Sequence, residues 1–441
     1  MIKEKPTTVS PVNDSLRLSQ RAQQTVDQPI GYLMKQAVTN PNLISLAAGL
    51  VDQESLPVEV THEVVDSILS DPEVGRRALQ YGTSQGDLRL REQTLNRLTT
   101  LEGRDLQISP ENVIVTTGAQ QLLQIVSDVL LDPDDIVLLG APEYFVYLGP
   151  LSGVGARPIP IAMDLDGMIP ESLEEALSDL DKRGELERVK ILYVGSYHQN
   201  PSGVTLSLER RPAILDIVRR WERHGRILVI DDAAYRELSY DSTSMPSLLS
   251  FDESRERVIL AQTFSKSFSP GLKTGFSILP SDLMEPVLQQ KGNHDFGSSN
   301  LNQQILAETL DRGHYASHVE NLRRLYHEKC QVMLEAIDQE FPRLNLDAKW
   351  VRPEGGLFVW MTLPPEIETT HDSQLFQRCI ENGVLYVPGE YCFATDAWEE
   401  TGELGGPRST MRLTFGTQSP EGIREGIRRL ASSIAQCIED D

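Results

Sequence analysis

Cysteine is scarce in this chain. Cys330, Cys379, Cys392 and Cys437 are the four present in 441 residues, and no two stand at C-x-x-C spacing. That argues against a disulfide framework and a zinc site, and it fits a reducing compartment. Long apolar runs are also missing. None reaches the ~20 residues a membrane-spanning helix needs. The opening "MIKEKPTTVSPVNDS" lacks the apolar core of a secretory signal. Cations are in deficit, with 41 Lys and Arg against 65 Asp and Glu, a formal charge of −24. Nucleic acid and anionic membrane are poor partners for such a surface, because phosphate contacts need basic patches. What remains is an ordinary globular composition, 39% hydrophobic and 24% charged, in a chain long enough for two or three lobes around a large core.

The pattern along the chain is more informative. Residues 1–45 read as a polar N-terminal arm, with one helix around Ile30 to Val38. The middle then alternates. Apolar, β-branched runs fall at Val113–Thr117, Ile136–Leu139, Ile191–Val194, Ile227–Ile230, Val258–Ala261 and Gly275–Leu279. Helical periodicity lies between several of them, as in Gln120–Leu131 and Leu208–Arg223. Strands alternating with helices predict an α/β domain with a mostly parallel sheet, here residues 76–312. From about Gly313 the pattern changes. A long amphipathic helix (His314 to Phe341) leads to "GGLFVWMTLP", a helix near Ser373–Asn382, the strands "GVLYVPG" and "TMRLTFG", and a closing helix. Residues 313–441, joined by 46–75, read as a smaller α+β domain. The stretch "DAWEETGELGGPRS" is the most loop-like part of it.

Ligand sites in open α/β sheets lie beyond the carboxyl ends of the strands, so the polar residues that follow each apolar run carry the search. Gly118-Ala119-Gln120 follows the first run. A glycine at a strand-to-helix turn lets backbone N–H groups approach an anion, although many such turns serve geometry alone. Tyr144, in "GAPEYFVY", is a ring platform or a core residue. Asn200, in "QNPSG", is a polar ligand or a turn asparagine. "DDAAYRE" places two acids directly after a buried strand, and an N-cap accounts for only one of them. "TFSKSFSPGLKTGF" then sets Lys266 among hydroxyls, with Lys273 close behind. A glycine turn, an aromatic, an asparagine, an aspartate and a lysine thus follow successive strands. One small planar molecule uses all five: it has a phosphate, a ring, a phenolic oxygen, a ring nitrogen that needs a counter-charge, and an aldehyde. That molecule is pyridoxal 5′-phosphate.

The ordered set "YGTSQGDLRLRE", "TTGAQQ", "APEY", "QNPSG", "DDAAY", "SKSFSPGLKTG" and "RLTF" resembles the class I and II aminotransferases among the fold-type I pyridoxal-phosphate enzymes. The likeness is nearest to the α-aminoadipate and kynurenine aminotransferase branch and covers nearly the whole chain. The resemblance implies a seven-stranded, mostly parallel sheet and a homodimer with shared active sites. It implies a cytoplasmic enzyme that moves an amino group from an amino acid to a 2-oxo acid. The same fold also runs decarboxylation, elimination and oxygen-dependent oxidation at Cα, and one sequence does not decide which bond breaks.

Residue by residue, Lys266 matches the Schiff-base lysine, Asp232 the pyridinium partner, and Asn200 with Tyr235 the pair on the phenolic oxygen. Tyr144 matches the stacking ring. Gly118, Ala119, Gln120, Thr263 and Ser265 match phosphate contacts, and Tyr81 is similar to a tyrosine that reaches the neighbouring subunit's phosphate. Arg412 and Gly49 match the substrate-carboxylate site. Arg21 is either a distal substrate contact or a surface residue, and His198 either faces substrate or is structural. Three positions depart from the pattern. Lys273 stands where the family has arginine, which loses the guanidinium fork. Gly140 replaces an acid before "APEY", and Tyr197 replaces a proline before "QNP". A regulator with a DNA-binding domain fused to this fold is disfavoured, because only about forty residues precede the patterned region and the charge is −24.

Overall fold

The structure, a computed structural model, describes residues 16–25, 31–33, 36, 39–40, 42–241, 245–394 and 404–440. The helix expected around Ile30 to Val38 falls largely outside the described residues, as does the first part of the loop beginning at Asp396.

The strands, in chain order, begin with β1 (Ile44–Ser45), β2 (Val113–Thr116), β3 (Ile136–Ala141), β4 (Arg157–Asp164) and β5 (Gly167–Met168). They continue with β6 (Val189–Gly195), β7 (Leu228–Asp232), β8 (Val258–Thr263) and β9 (Gly275–Ile278). The large sheet has the order β2-β9-β8-β7-β6-β3-β4-β5. Neighbours from β8 through β4 pair in parallel, while β9 runs antiparallel to both of its partners. Every residue of β2, β3 and β9 is buried. Helices cover both faces, which is why these strands read as continuous apolar runs rather than as alternation.

All six expected strands lie in this sheet, but it has eight members, not seven. β5 is a two-residue hairpin extension that pairs only with the end of β4, Met163 with Met168 and Asp164 with Gly167. β4 itself gave no strand signal because "RPIPIAMD" contains two prolines. It pairs with β3 along six residues, Arg157 to Ala162. Pro158 and Pro160, two apart, turn their missing N–H groups toward the same, open side, which an edge position tolerates.

The remaining strands are β10 (Lys349–Trp350), β11 (Phe358–Thr362), β12 (Val384–Leu385), β13 (Val387–Pro388) and β14 (Thr410–Thr414). They form an antiparallel sheet of order β10-β11-β14-β13, with β12 paired in parallel to β1. The helices His314–Glu340 and Pro420–Asp440 pack on one another beside it. The first buries Val319, Leu322, Tyr326, Cys330, Met333 and Ile337, a three- and four-residue spacing that gives one apolar stripe. Within the 46–75 stretch, the helix Val58–Ser70 packs Val64 and Ile68 against Ala78 and Ile305. Its partner is therefore the helix Asn300–Asp311 beside the large sheet.

Candidate active site

Five strand ends converge on one cavity of about 400 Å³. β2 stops at Thr116, and Gly118, at φ 74°, starts the helix Ala119–Leu130. A Cβ on Gly118 would meet only Thr263 Oγ1 at 4.0 Å, so the backbone angle, not crowding, calls for glycine. No side chain caps this helix. Its opening N–H groups are left as a ready anion site, strengthened by the helix dipole. Thr263, at the end of β8, donates its hydroxyl to Ser265 Oγ at 2.9 Å and accepts the Ser265 N–H at 3.2 Å. Gln120 Oε1 is buried without a partner. Lys273 also lines the cavity. Among the described residues, no carboxylate lies within ion-pair distance of it.

Lys266 enters from the loop after β8 and donates to the Gly49 carbonyl at 2.7 Å. Its Nζ lies 5.8 Å from the centre of the Tyr235 ring. Burial, reinforced by the charges of Arg412 and Lys273, pushes this amine down to about 8, so about a tenth is the nucleophilic free base at pH 7, far more than for an ordinary lysine. Asp232 closes β7. One carboxylate oxygen accepts the Tyr193 hydroxyl at 2.7 Å and the other the Ala234 N–H at 3.1 Å. Burial raises its pKa against these two donors, so a cation brought to this point restores the charged form. Asp231 points the other way: it is fully buried, and Leu248 donates its N–H to it at 2.8 Å. The register in "DDAAY" is therefore resolved by the strand's alternation, with Asp232 on the cavity side.

Arg412, on β14, is 1% exposed. It donates to Asn200 Oδ1 and to the Ala47 carbonyl, each at 2.6 Å, and its guanidinium sits 4.4 Å from the Phe358 ring centre. Its Nε is buried without a partner, and among the described residues no carboxylate pairs with it. A buried guanidinium held by neutral groups is costly unless an anion completes it. Gly49 packs 3.7 Å (from its notional Cβ) from an Arg412 nitrogen, at the mouth of the same cavity. Tyr144 and Tyr235 line the cavity between these ends.

Tyr81 is not brought to the cavity. It is 82% exposed and meets Phe296, itself 71% exposed, edge-on. Arg21 pairs with Asp128 on the helix Ala119–Leu130 and does not line the cavity. His198 is structural: it is buried, bonded to Ser239 Oγ at 2.7 Å and Thr205 Oγ1 at 3.0 Å, and pushed down to about 4 by burial. Three residues escaped the sequence reading. Tyr193 and Phe358 look like core positions in apolar strands, and no signal in the sequence separates them from core. Glu143 was visible as an acid beside the proline of "APEY", but nothing local says that its carboxyl turns inward.

These groups fit pyridoxal phosphate at both ends: an uncapped helix start with hydroxyls and a lysine for the phosphate, and a buried carboxylate for the ring nitrogen. Comparison with known proteins agrees. The family model described as aminotransferase class I and II matches residues 41–430. A 2-aminoadipate transaminase of Thermus thermophilus is 35% identical over 398 residues, covering 89% of this chain and 90% of that protein. An aromatic-amino-acid aminotransferase of Thermococcus litoralis is 32% identical over 400 residues, covering 90% and 89%. Among solved structures, a Pyrococcus horikoshii kynurenine aminotransferase in complex with PMP superposes with a TM-score of 0.86 at 31% identity, over 96% of this chain and 97% of that one.

Proposed function

The chain belongs to the class I and II aminotransferases and is a pyridoxal-phosphate-dependent transaminase of fold type I; from that premise we propose the following division of labour among its residues. Bound pyridoxal phosphate supplies an aldehyde that takes up the amino group and a ring that holds the electron pair released at Cα. Lys266 would hold the cofactor through its amine and, as a free base, would move the proton at Cα. Asp232, steadied by Tyr193 and the Ala234 N–H, keeps the ring nitrogen protonated. Asn200 gives its carbonyl oxygen to Arg412 and keeps its amide N–H groups, with the Tyr235 hydroxyl, for the phenolic oxygen. Tyr144, which lines the cavity, would be the stacking ring. The Gly118 N–H is held by the Thr116 carbonyl at 2.8 Å, so the N–H groups of Ala119 and Gln120 would hold the phosphate, together with the Thr263 and Ser265 hydroxyls and the Lys273 ammonium. Arg412, beside Gly49, takes the substrate α-carboxylate in a two-pronged fork. Residues 76–312 are the cofactor-binding domain, and 46–75 with 313–441 form the smaller one, save that the helix Val58–Ser70 packs against Asn300–Asp311 of the larger.

The observation that carries this reading is a single cavity holding a lowered-pKa lysine, a buried aspartate and an arginine with no acidic partner. The same lining bears on the substrate. Among the described residues, the cations of the cavity are Lys266, Lys273 and Arg412, and all three are engaged by the cofactor or the α-carboxylate. The rest of the wall includes Leu50, Leu123, Phe145 and Val146. A donor with a neutral, apolar or aromatic side chain suits this wall better than an acidic one. Tyr81 supports a homodimer, since so exposed a ring beside Phe296 reaches a cofactor phosphate only in another subunit. Four buried cysteines, none of them in a disulfide, support a reducing, cytoplasmic setting, and no helix among the described residues is long and apolar enough to cross a membrane.

The test is a donor screen on the cofactor-loaded enzyme. Aromatic and aliphatic amino acids should convert the cofactor stoichiometrically to pyridoxamine phosphate without oxygen uptake or carbon dioxide release. Faster conversion by acidic donors overturns the substrate reading. Oxygen uptake or decarboxylation supports the other Cα chemistries of this fold.

A further inference from the structure

The stretch "GAPEY" lacks an acid at Gly140 and has one at Glu143, and the geometry explains both. Gly140 lies near the end of β3, and a Cβ there would come within 3.0 Å of Glu143 Oε2 and 2.4 Å of Met163 Sδ. Gly195 ends the neighbouring β6, and a Cβ there would lie 3.4 Å from Glu143 Oε1 and 2.7 Å from Gln199 Cγ. Neither glycine has a positive φ, so neither is demanded by the backbone. Two adjacent strands carry glycine at or next to their last residue, and the room this leaves is filled by Met163, Gln199 and, between them, the Glu143 carboxyl. Gly195 is also the register partner of Asp232 across the β6–β7 ladder. The Glu143 carboxyl therefore sits one strand away from the carboxylate that closes β7.

Glu143 is 1% exposed, and among the described residues no lysine, arginine or histidine lies within ion-pair distance of it. It accepts the Tyr144 N–H at 2.9 Å. The groups facing it are Asp232 on β7, the Tyr193 hydroxyl on β6, the Gln199 amide, the Cys392 thiol and Met163 on β4. None is a cation. A buried carboxylate without a counter-charge is expensive, and two carboxyls in one such niche do not both ionise. Asp232 accepts the Tyr193 hydroxyl and the Ala234 N–H, and Glu143 accepts the Tyr144 N–H with the Gln199 amide and the Gly140 N–H as further donors around it. The donors do not separate the two; Asp232 is the better host for the charge because it is the carboxylate read as the partner of the ring nitrogen.

We propose that Glu143 is a positioning residue at the ring-nitrogen end of the cavity, which holds the proton of the Glu143–Asp232 pair and so leaves a single negative charge there, on Asp232. Burial, reinforced by the Asp232 charge, pushes the Glu143 carboxyl up to about 8, in keeping with that geometry. The neutral acid also holds the backbone N–H at Tyr144, whose ring lies on the same cavity wall. The proposal rests on Asp232 being the partner of the ring nitrogen, and its test separates the two ideas.

Difference infrared spectroscopy of the cofactor-loaded enzyme, wild type minus Glu143→Gln, should show a protonated-carboxyl band at pH 7 that the variant lacks. In Asp232→Asn, which removes the like charge, the same band should be lost at a lower pH than in wild type. A wild-type spectrum without the band at pH 7, a band retained in Glu143→Gln, or a titration unmoved by Asp232→Asn overturns the proposal. Because the last comparison is made in wild-type and Asp232→Asn protein, it stands even if Glu143→Gln folds poorly. The role of Asp232 itself is read separately, from whether Asp232→Asn still converts the cofactor with an amino donor.

Discussion

Arg412→Lys isolates what the guanidinium fork contributes beyond its charge. Two of the arginine's N–H groups are committed, one to Asn200 Oδ1 and one to the Ala47 carbonyl. The free donors are the remaining N–H on each terminal nitrogen and the unpartnered Nε–H, which suffice for a two-pronged grip on a carboxylate. A lysine ammonium has three donors. If it keeps both structural bonds, one remains for the substrate. The variant therefore loses one charge-assisted hydrogen bond, about 1.5–3 kcal/mol, or roughly 10- to 150-fold in affinity. It also loses the flat face that lies 4.4 Å from the Phe358 ring centre, which adds to the deficit rather than offsetting it. Titration of the loaded enzyme with an amino donor, followed by the cofactor's absorbance, measures the dissociation constant directly. Affinity for the cofactor, measured alongside, should change little. A donor affinity within twofold of wild type would refute the fork, and a loss falling on the cofactor instead would place Arg412 at the wrong end of the cavity.

Borohydride reduction should fix the cofactor covalently on the peptide carrying Lys266, and capture by the cofactor-free protein should speed up with pH around a midpoint near 8; an ordinary lysine would keep accelerating toward ~10.4. Labelling at Lys273 instead overturns the assignment. Asp232→Asn should leave folding intact and remove most of the chemical step, whereas Asp231→Asn disturbs a fully buried group bonded to the Leu248 N–H and should cost about 1–3 kcal/mol of stability in a denaturant titration. The reverse pattern would exchange the roles of the two acids. Lys273→Ala should weaken cofactor binding by about 1.5–3 kcal/mol, with Lys273→Arg at or above wild-type affinity; an unchanged dissociation constant in the alanine variant makes Lys273 a surface residue.

The sequence by itself determined the α/β class and the order of the chemistry. Buried parallel strands must be apolar throughout, and ligand groups must follow them, so Gly118, Asn200, Asp232 and Lys266 announce themselves one strand at a time. The long helix from His314 was legible for the same kind of reason, since its buried stripe repeats every three or four residues. β4 was not, because prolines are tolerated at an edge and only the finished sheet defines where the edge lies. Tertiary structure alone decided which side chains meet. Tyr193 alternates like any core residue until Asp232 arrives from the next strand, and Arg21 is committed to Asp128 only once its helix docks. His198 becomes structural because Thr205 and Ser239 close on both of its ring nitrogens. Glu143 shows the limit most clearly: its proposed protonation depends on two glycines 55 residues apart in sequence at the ends of neighbouring strands or one residue short of them, on an aspartate from a third, and on the absence of a cation in the niche among the described residues. Burial and electrostatic field are properties of the assembled packing, and a local stretch of chain does not carry them.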